Sequence, residues 1–392
     1  MLLPNALNSM SKRVAAEKEA RKVKSKDGSA GAVILGLETS CDDTAAAIVR
    51  MRTDGEGEIL ANIVWTDHDD HAAFGGVVPE IAARSHVERL DLTVARALEA
   101  AGMAFADLDG VAATGGPGLV GGVMVGLTAG KAIAMVHNIP LIPVNHLEGH
   151  ALSVRMTDPC PFPYLLLLIS GGHTQLIHVE GLGHYRRLGT TIDDAAGEAF
   201  DKTAKLLGLG LPGGPKLEAT ARGGHADRYA LPTPLSKRAG CDFSFSGLKT
   251  AIREIIESIP DPTDQEVADM AASFQFAAAR HLALRTERAM TMVAPEGAGG
   301  CLVVAGGVAA NSAIKEKLGA LTKRKDWSLI APPVKYCTDN GAMIAWAGGE
   351  RYLAGLVPSM ADTLAMAPRA RWPLAPPPEG RAVGGGRKGP KS

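Results

Sequence analysis

Aromatic side chains make up only 4% of this 392-residue chain, and its five cysteines include no Cys-x-x-Cys pair. Cys41, Cys160, Cys241, Cys301 and Cys337 are odd in number and widely spaced. That pattern fits a reduced, cytoplasmic compartment better than a disulfide framework or a thiolate metal cluster. No run of 18 or more apolar residues occurs, so no membrane span is expected. Residues 1–30 lack the apolar stretch of a signal peptide. Glu17 and Glu19 interrupt their basic run, which favours a flexible arm over a transit peptide. Net charge is small as well, −1 overall, but unevenly placed. Residues 11–26 hold seven Lys/Arg against two Glu and residues 377–392 hold four against one, leaving the body near −9. Such tails are expected to be solvated and disordered. They can also contact nucleic-acid phosphates without regard to sequence.

What the chain has is length, apolar content and glycine. At 392 residues two lobes are expected, and 46% apolar residues with 46 glycines suit an α/β enzyme rich in tight turns. Residues 33–49, VILGLETSCDDTAAAIV, read as a β-hairpin around a polar turn. LLLLISGGHTQLIHVEG, residues 165–181, repeats that design, which points to internal duplication. Between them a strand at 111–114, a Gly-rich loop, a small-residue helix ending near Asn138 and a strand at 140–144 lead to NHLEGH. The alternation predicts a mostly parallel sheet with helical crossovers. Further helices are expected at GEAFDKTAKLLGL, over 264–294, after Gly306-Gly307 and after Asp339. The expected division is a basic arm 1–30, a first lobe 31–145, a second lobe 146–375 with a helical insertion, and a disordered tail 376–392.

Glycine lets backbone amides approach a phosphate, and successive amides in a turn form an anion nest. The turn Ser170-Gly171-Gly172-His173-Thr174 and the stretch from Ala305 to Asn311 each follow an apolar strand, where α/β folds bind nucleotides. With the Gly213-Gly214 loop and the 39–44 turn they predict a nucleotide cleft.

His146 and His150 stand four apart, on one face of a helix, and can hold a single ion. Asp339, at another strand-to-helix junction, is the third candidate ligand. Two imidazoles and a carboxylate with open positions suit iron(II), zinc or manganese. A metalloprotease is the weakest reading on geometry, because its general base adjoins one of the histidines. Glu148 lies two residues after His146, about 200° around the helix, and cannot share the metal face.

The stretches ILGLETSCDDT, NHLEGH, ISGGHTQL, DDAAGEAFDKTAKLLGL, PGGP, DFSFSGLKT, GGVAAN and CTDNGAMIA occur in that order over about residues 33–375. In them the chain resembles the tRNA N6-adenosine threonylcarbamoyltransferase family, bacterial type. The resemblance implies the actin/Hsp70/sugar-kinase fold, two duplicated α/β lobes around a nucleotide cleft. It implies transfer of the threonylcarbamoyl group of threonylcarbamoyl-AMP to N6 of adenosine 37 in tRNAs reading ANN codons, with release of AMP. By position it implies metal ligation by His146, His150 and Asp339, catalytic through an ion that is iron(II) before zinc. It implies substrate binding by Ile169, Ser170, Gly171, Gly172 and His173, and nucleoside binding by Asp201, Gly214, Glu218 and Asn311. It further implies tRNA, a paralogous partner subunit and a small ATPase as partners, and no membrane. Archaeal members place a tyrosine where this chain has Leu168, so the metal here lacks a fourth protein ligand and water or substrate fills the position.

Two other readings compete. A sugar or acyl kinase of the same fold would carry a DxGT turn in the first hairpin, where this chain has ETSCDDT. A non-enzymatic nucleotide-dependent scaffold would tolerate loss of the metal ligands.

Overall fold

A computed structural model of the chain describes residues 31–66, 77–295 and 297–375. The basic arm and the Pro/Gly-rich tail lie outside the described residues. The first half runs β1 (Gly31–Glu38), β2 (Thr44–Arg52), β3 (Gly57–Trp65), α1 (Pro79–Ala101), β4 (Gly110–Gly116), α2 (Val120–His137), β5 (Leu141–Asn145) and α3 (His146–Leu152). The second runs β6 (Tyr164–Ile169), β7 (Thr174–Gly181), β8 (His184–Thr190), α4 (Ala196–Leu206), α5 (Gly213–Ala221), α6 (Ser246–Ser258) and α7 (Asp264–Val293). It continues with β9 (Gly300–Ala305), α8 (Ser312–Lys325), β10 (Trp327–Ile330), α9 (Gly341–Leu353) and α10 (Met360–Ala365).

The two sheets have one topology. In the first the order is β3-β2-β1-β4-β5, and in the second β8-β7-β6-β9-β10. Each begins with an antiparallel hairpin, Leu35 opposite Ile48 in one and Leu167 opposite Leu176 in the other. Each then adds a parallel strand beside the first, Leu35 pairing Val111 and Leu166 pairing Val303. The near-continuous apolar runs of β1 and β6 are those of central strands covered on both faces. This repeat is the internal duplication expected from the two hairpins, and it gives the two α/β lobes of the actin/Hsp70/sugar-kinase class.

The boundary between the units falls elsewhere than at residue 146. Among the described residues the first unit extends to Leu152 and also takes in Asn340–Ala370, while the second holds Ser153–Asp339 and residues 371–375. Packing of α9 explains the difference. A Cβ on Gly36 of β1 would overlap Gly341 O and lie 2.5 Å from Ala345 N, so the helix backbone lies flush on the first sheet. Gly36→Ala is therefore expected to lower the unfolding free energy by roughly 1–3 kcal/mol, read from denaturant titration, because the strand and the helix cannot both stay in place.

Among the described residues α2 alone is long and apolar enough to cross a membrane. Its setting is that of a crossover: it joins β4 to β5 and buries Gly122, Val123, Gly126, Leu127, Gly130 and Ala134. The Gly126 amide donates to Thr39 Oγ1 (3.2 Å), a closeness that the small residues of this helix permit.

In the second unit the core gathers Phe200, Phe243, Phe245, Phe274 and Leu282. His281 is buried edge-on to Phe243 and Phe245, and its Nε2 accepts from the Ser244 amide at 3.2 Å. Burial, with smaller contributions from the Arg285 and Arg288 charges, pushes its pKa down to about 4. Its ordinary value is near 6.5, so the unfolded chain takes up this proton first as pH falls. The stabilisation from the neutral ring is complete above pH 6.5 and is lost between 6.5 and about 4, amounting to about 3 kcal/mol. Thermal unfolding over this window is expected to show that loss in wild type and a shallower slope in His281→Gln.

Candidate functional site

The end of β5 delivers the first histidine. Asn145 closes the strand and its Oδ1 accepts from the Leu147 amide (2.9 Å), which starts α3 at His146. One turn on, His150 brings its ring to 4.7 Å from that of His146, at an interplanar angle of 89°. Both are buried. Asp339 immediately precedes Asn340, whose Oδ1 caps α9 by accepting from the Met343 amide at 2.9 Å. Asp339 is the last residue of the segment Ser153–Asp339, and Asn340 begins the segment assigned to the first unit. One ligand atom from each of His146, His150 and Asp339 lies within 4.8 Å of the others. Two neutral-capable nitrogens and a carboxylate oxygen, two of the three residues buried, are a donor set that fits one divalent ion with open positions.

Behind the histidines stands a residue that the sequence reading passed over. Glu38, the last residue of β1, is fully buried, and its Oε2 lies 2.9 Å from His146 Nδ1. The available signal was a carboxylate closing an otherwise apolar central strand. Glu148 lies off the metal face, as helix geometry required. Both its oxygens accept from Arg351, at 2.7 and 2.8 Å, which ties α3 to α9.

The second unit places the predicted substrate residues around two turns. Ile169 ends β6, and residues 170–173 form a closed turn: the Ser170 amide donates to His173 O (2.8 Å) and the His173 amide to Ser170 Oγ (3.1 Å). Gly171 and Gly172 are exposed, with open space where a Cβ would stand. At Gly306 φ is 93°, and a Cβ there would overlap Ile169 O, so the Gly-Gly turn after β9 lies against the end of β6.

Asp201, Gly214, Glu218 and Asn311 belong to one neighbourhood of short helices. Asp201 Oδ1 accepts from the Gly213 amide at 3.0 Å where α5 begins. Burial raises its carboxyl pKa above the ordinary value, against the lowering effect of the Gly213 and Gly214 amides. Gly214 has open space at its Cβ position. Glu218 accepts from the Ser312 amide (3.0 Å), and Asn311 Nδ2 donates to Glu218 Oε2 (3.3 Å) and to Gln275 Oε1 (2.8 Å). Gln275, on α7, was not expected there; nothing in its sequence surroundings separates it from a helix-surface glutamine. Asp193 and Asp194 hold the two signature stretches together. Asp193 accepts from the Phe245 amide (2.8 Å), and Asp194 pairs with Lys202 (2.7 Å) and Lys249 (3.1 Å).

Comparison with known proteins adds a family. A family model described as tRNA N6-adenosine threonylcarbamoyltransferase matches residues 58–346. The chain is 56% identical over 365 residues to a protein of that name from Maricaulis maris, covering 92% of this chain and 96% of the relative. It is likewise 56% identical over 366 residues to one from Brucella anthropi, covering 92% and 99%. Among solved structures, HypF from T. kodakarensis superposes with a TM-score of 0.56 at 16% identity, covering 83% of this chain and 48% of that one. At that identity the likeness is one of fold.

Proposed function

The chain belongs to the tRNA N6-adenosine threonylcarbamoyltransferase family, and on that premise we propose that it transfers the threonylcarbamoyl group of threonylcarbamoyl-AMP to N6 of adenosine 37 in tRNAs reading ANN codons. The bond between N6 and the carbamoyl carbon forms and the carbon–oxygen bond to phosphate breaks. The electron pair leaves with AMP, and N6 gives up one proton. The observation that carries this reading is the convergence of His146, His150 and Asp339 ligand atoms within 4.8 Å in a chain of this family.

In this reading those three residues hold one divalent ion with positions left open for water or substrate; that it is iron(II) before zinc rests on the family resemblance and not on the donor set. When bound, such an ion supplies Lewis-acid polarisation of the reacting carbonyl or phosphate. The turn from Ile169 to His173 receives the acyl phosphate, its two glycines leaving the backbone uncovered. Asp201 and Glu218 accept hydrogen bonds from ribose hydroxyls, with Gly214 giving room and Asn311 orienting Glu218. A paralogous subunit and a small ATPase act with it, in the cytoplasm.

The test is to incubate the purified protein and its partners with threonylcarbamoyl-AMP and unmodified tRNA, then analyse the nucleosides by mass spectrometry. Appearance of threonylcarbamoyladenosine supports the reading, and ATP-dependent sugar phosphorylation in its place overturns it. The basic arm provides a second measurement. With seven Lys/Arg in residues 11–26, deleting residues 1–30 is expected to weaken tRNA binding and flatten the plot of log affinity against log salt, because phosphate contacts release counterions. An unchanged slope would mean that the arm makes no phosphate contact.

A further inference from the structure

His146 offers two ring nitrogens, and only one can face an ion. Its Nδ1 lies 2.9 Å from Glu38 Oε2 and 3.1 Å from Ser40 Oγ. The Glu38 carboxylate already accepts from the Ser40 amide at Oε1 (2.5 Å) and from Thr114 Oγ1 at Oε2 (2.6 Å). All four residues are buried. A proton on Nδ1 completes this set: Glu38 accepts a third donor, and no nitrogen lone pair opposes an oxygen lone pair. In the opposite tautomer Ser40 would have to donate to a bare Nδ1, which would stand 2.9 Å from an acceptor oxygen among buried groups. That arrangement carries the penalty of an unsatisfied buried polar pair.

We propose that Glu38 is a positioning residue of the metal centre: it holds His146 in the Nδ1–H tautomer and aims the bare Nε2 at the ion. The proposal rests on the metal reading of His146, His150 and Asp339. Second-layer carboxylates of this kind fix ring orientation and raise ligand basicity, and their loss costs about 10–100-fold in metal affinity. Thr114 anchors the same carboxylate to β4 from its other side, and so gives a control for structural damage alone.

Two measurements decide it, neither of which is catalytic activity. In metal-free protein with 15N-labelled histidine, a long-range 1H–15N correlation spectrum is expected to show the His146 proton on Nδ1. Cobalt(II) titration, followed through its visible d–d bands, is expected to show about 10–100-fold weaker binding and altered bands in Glu38→Gln. Thr114→Val should lose stability but keep wild-type affinity and spectrum. An Nε2–H tautomer in wild type, or unchanged cobalt binding in Glu38→Gln, would overturn the role of Glu38 while leaving the metal site standing. Equal losses in Glu38→Gln and Thr114→Val would assign Glu38 to the fold alone. A wild-type protein that takes up no cobalt would overturn the metal reading itself.

Discussion

Alanine in place of His146 or His150 is expected to strip the metal and reduce threonylcarbamoyl transfer by roughly a thousandfold while the protein stays folded. The magnitude follows from the several kcal/mol that a bound cation contributes to charge stabilisation, at about 1.4 kcal/mol per tenfold in rate. Two imidazoles and Asp339 are the protein donors brought together among the described residues, so one deletion leaves too few to hold an ion at ordinary concentrations. Metal content by atomic emission and nucleoside yield by mass spectrometry read the two effects separately. A variant with a full equivalent of metal and wild-type yield would remove these residues from the site.

The second large effect concerns stability. Arg351→Ala is expected to cost about 3–5 kcal/mol, because it removes the bidentate guanidinium partner of the fully buried Glu148. Glu148→Gln, which keeps the shape and part of the hydrogen bonding, should lose less stability. It should also keep bound metal and much of the transfer activity, since Glu148 points away from the ligands. A protease base would instead lose nearly all turnover on this change. Denaturant unfolding of both variants checks the stability claim, and a casein-digestion control checks the protease alternative: hydrolysis by wild type that vanishes in Glu148→Gln would contradict the transferase assignment.

The different fates of Glu148 and Glu38 show what the sequence could and could not reveal. The position of Glu148 on its helix follows from a spacing of two residues and a fixed angular step, so its exclusion from the metal face was legible at once. That of Glu38 depends on β1 lying beside β4 and on β5 ending in α3, a pairing that no local pattern announces. The duplication was legible because each copy begins with the same local motif, an apolar strand, a small polar turn and a second strand. The placement of α9 was not. Its Gly341, Ala345, Gly348 and Gly349 are chosen to lie on strands formed hundreds of residues earlier in the chain, and chain order alone put it with the second lobe. Gln275 was missed for the same reason: its partner Asn311 is brought to it by tertiary packing.

The central claim, transfer of the threonylcarbamoyl group through a centre built on His146, His150 and Asp339, is tested most directly by nucleoside mass spectrometry with metal-depleted protein. Chelated enzyme, its partners, threonylcarbamoyl-AMP and unmodified tRNA are predicted to give no threonylcarbamoyladenosine, and addition of iron(II) is predicted to restore it in wild type but not in His150→Ala. Full yield from the chelated enzyme, or equal restoration in His150→Ala, would contradict the account.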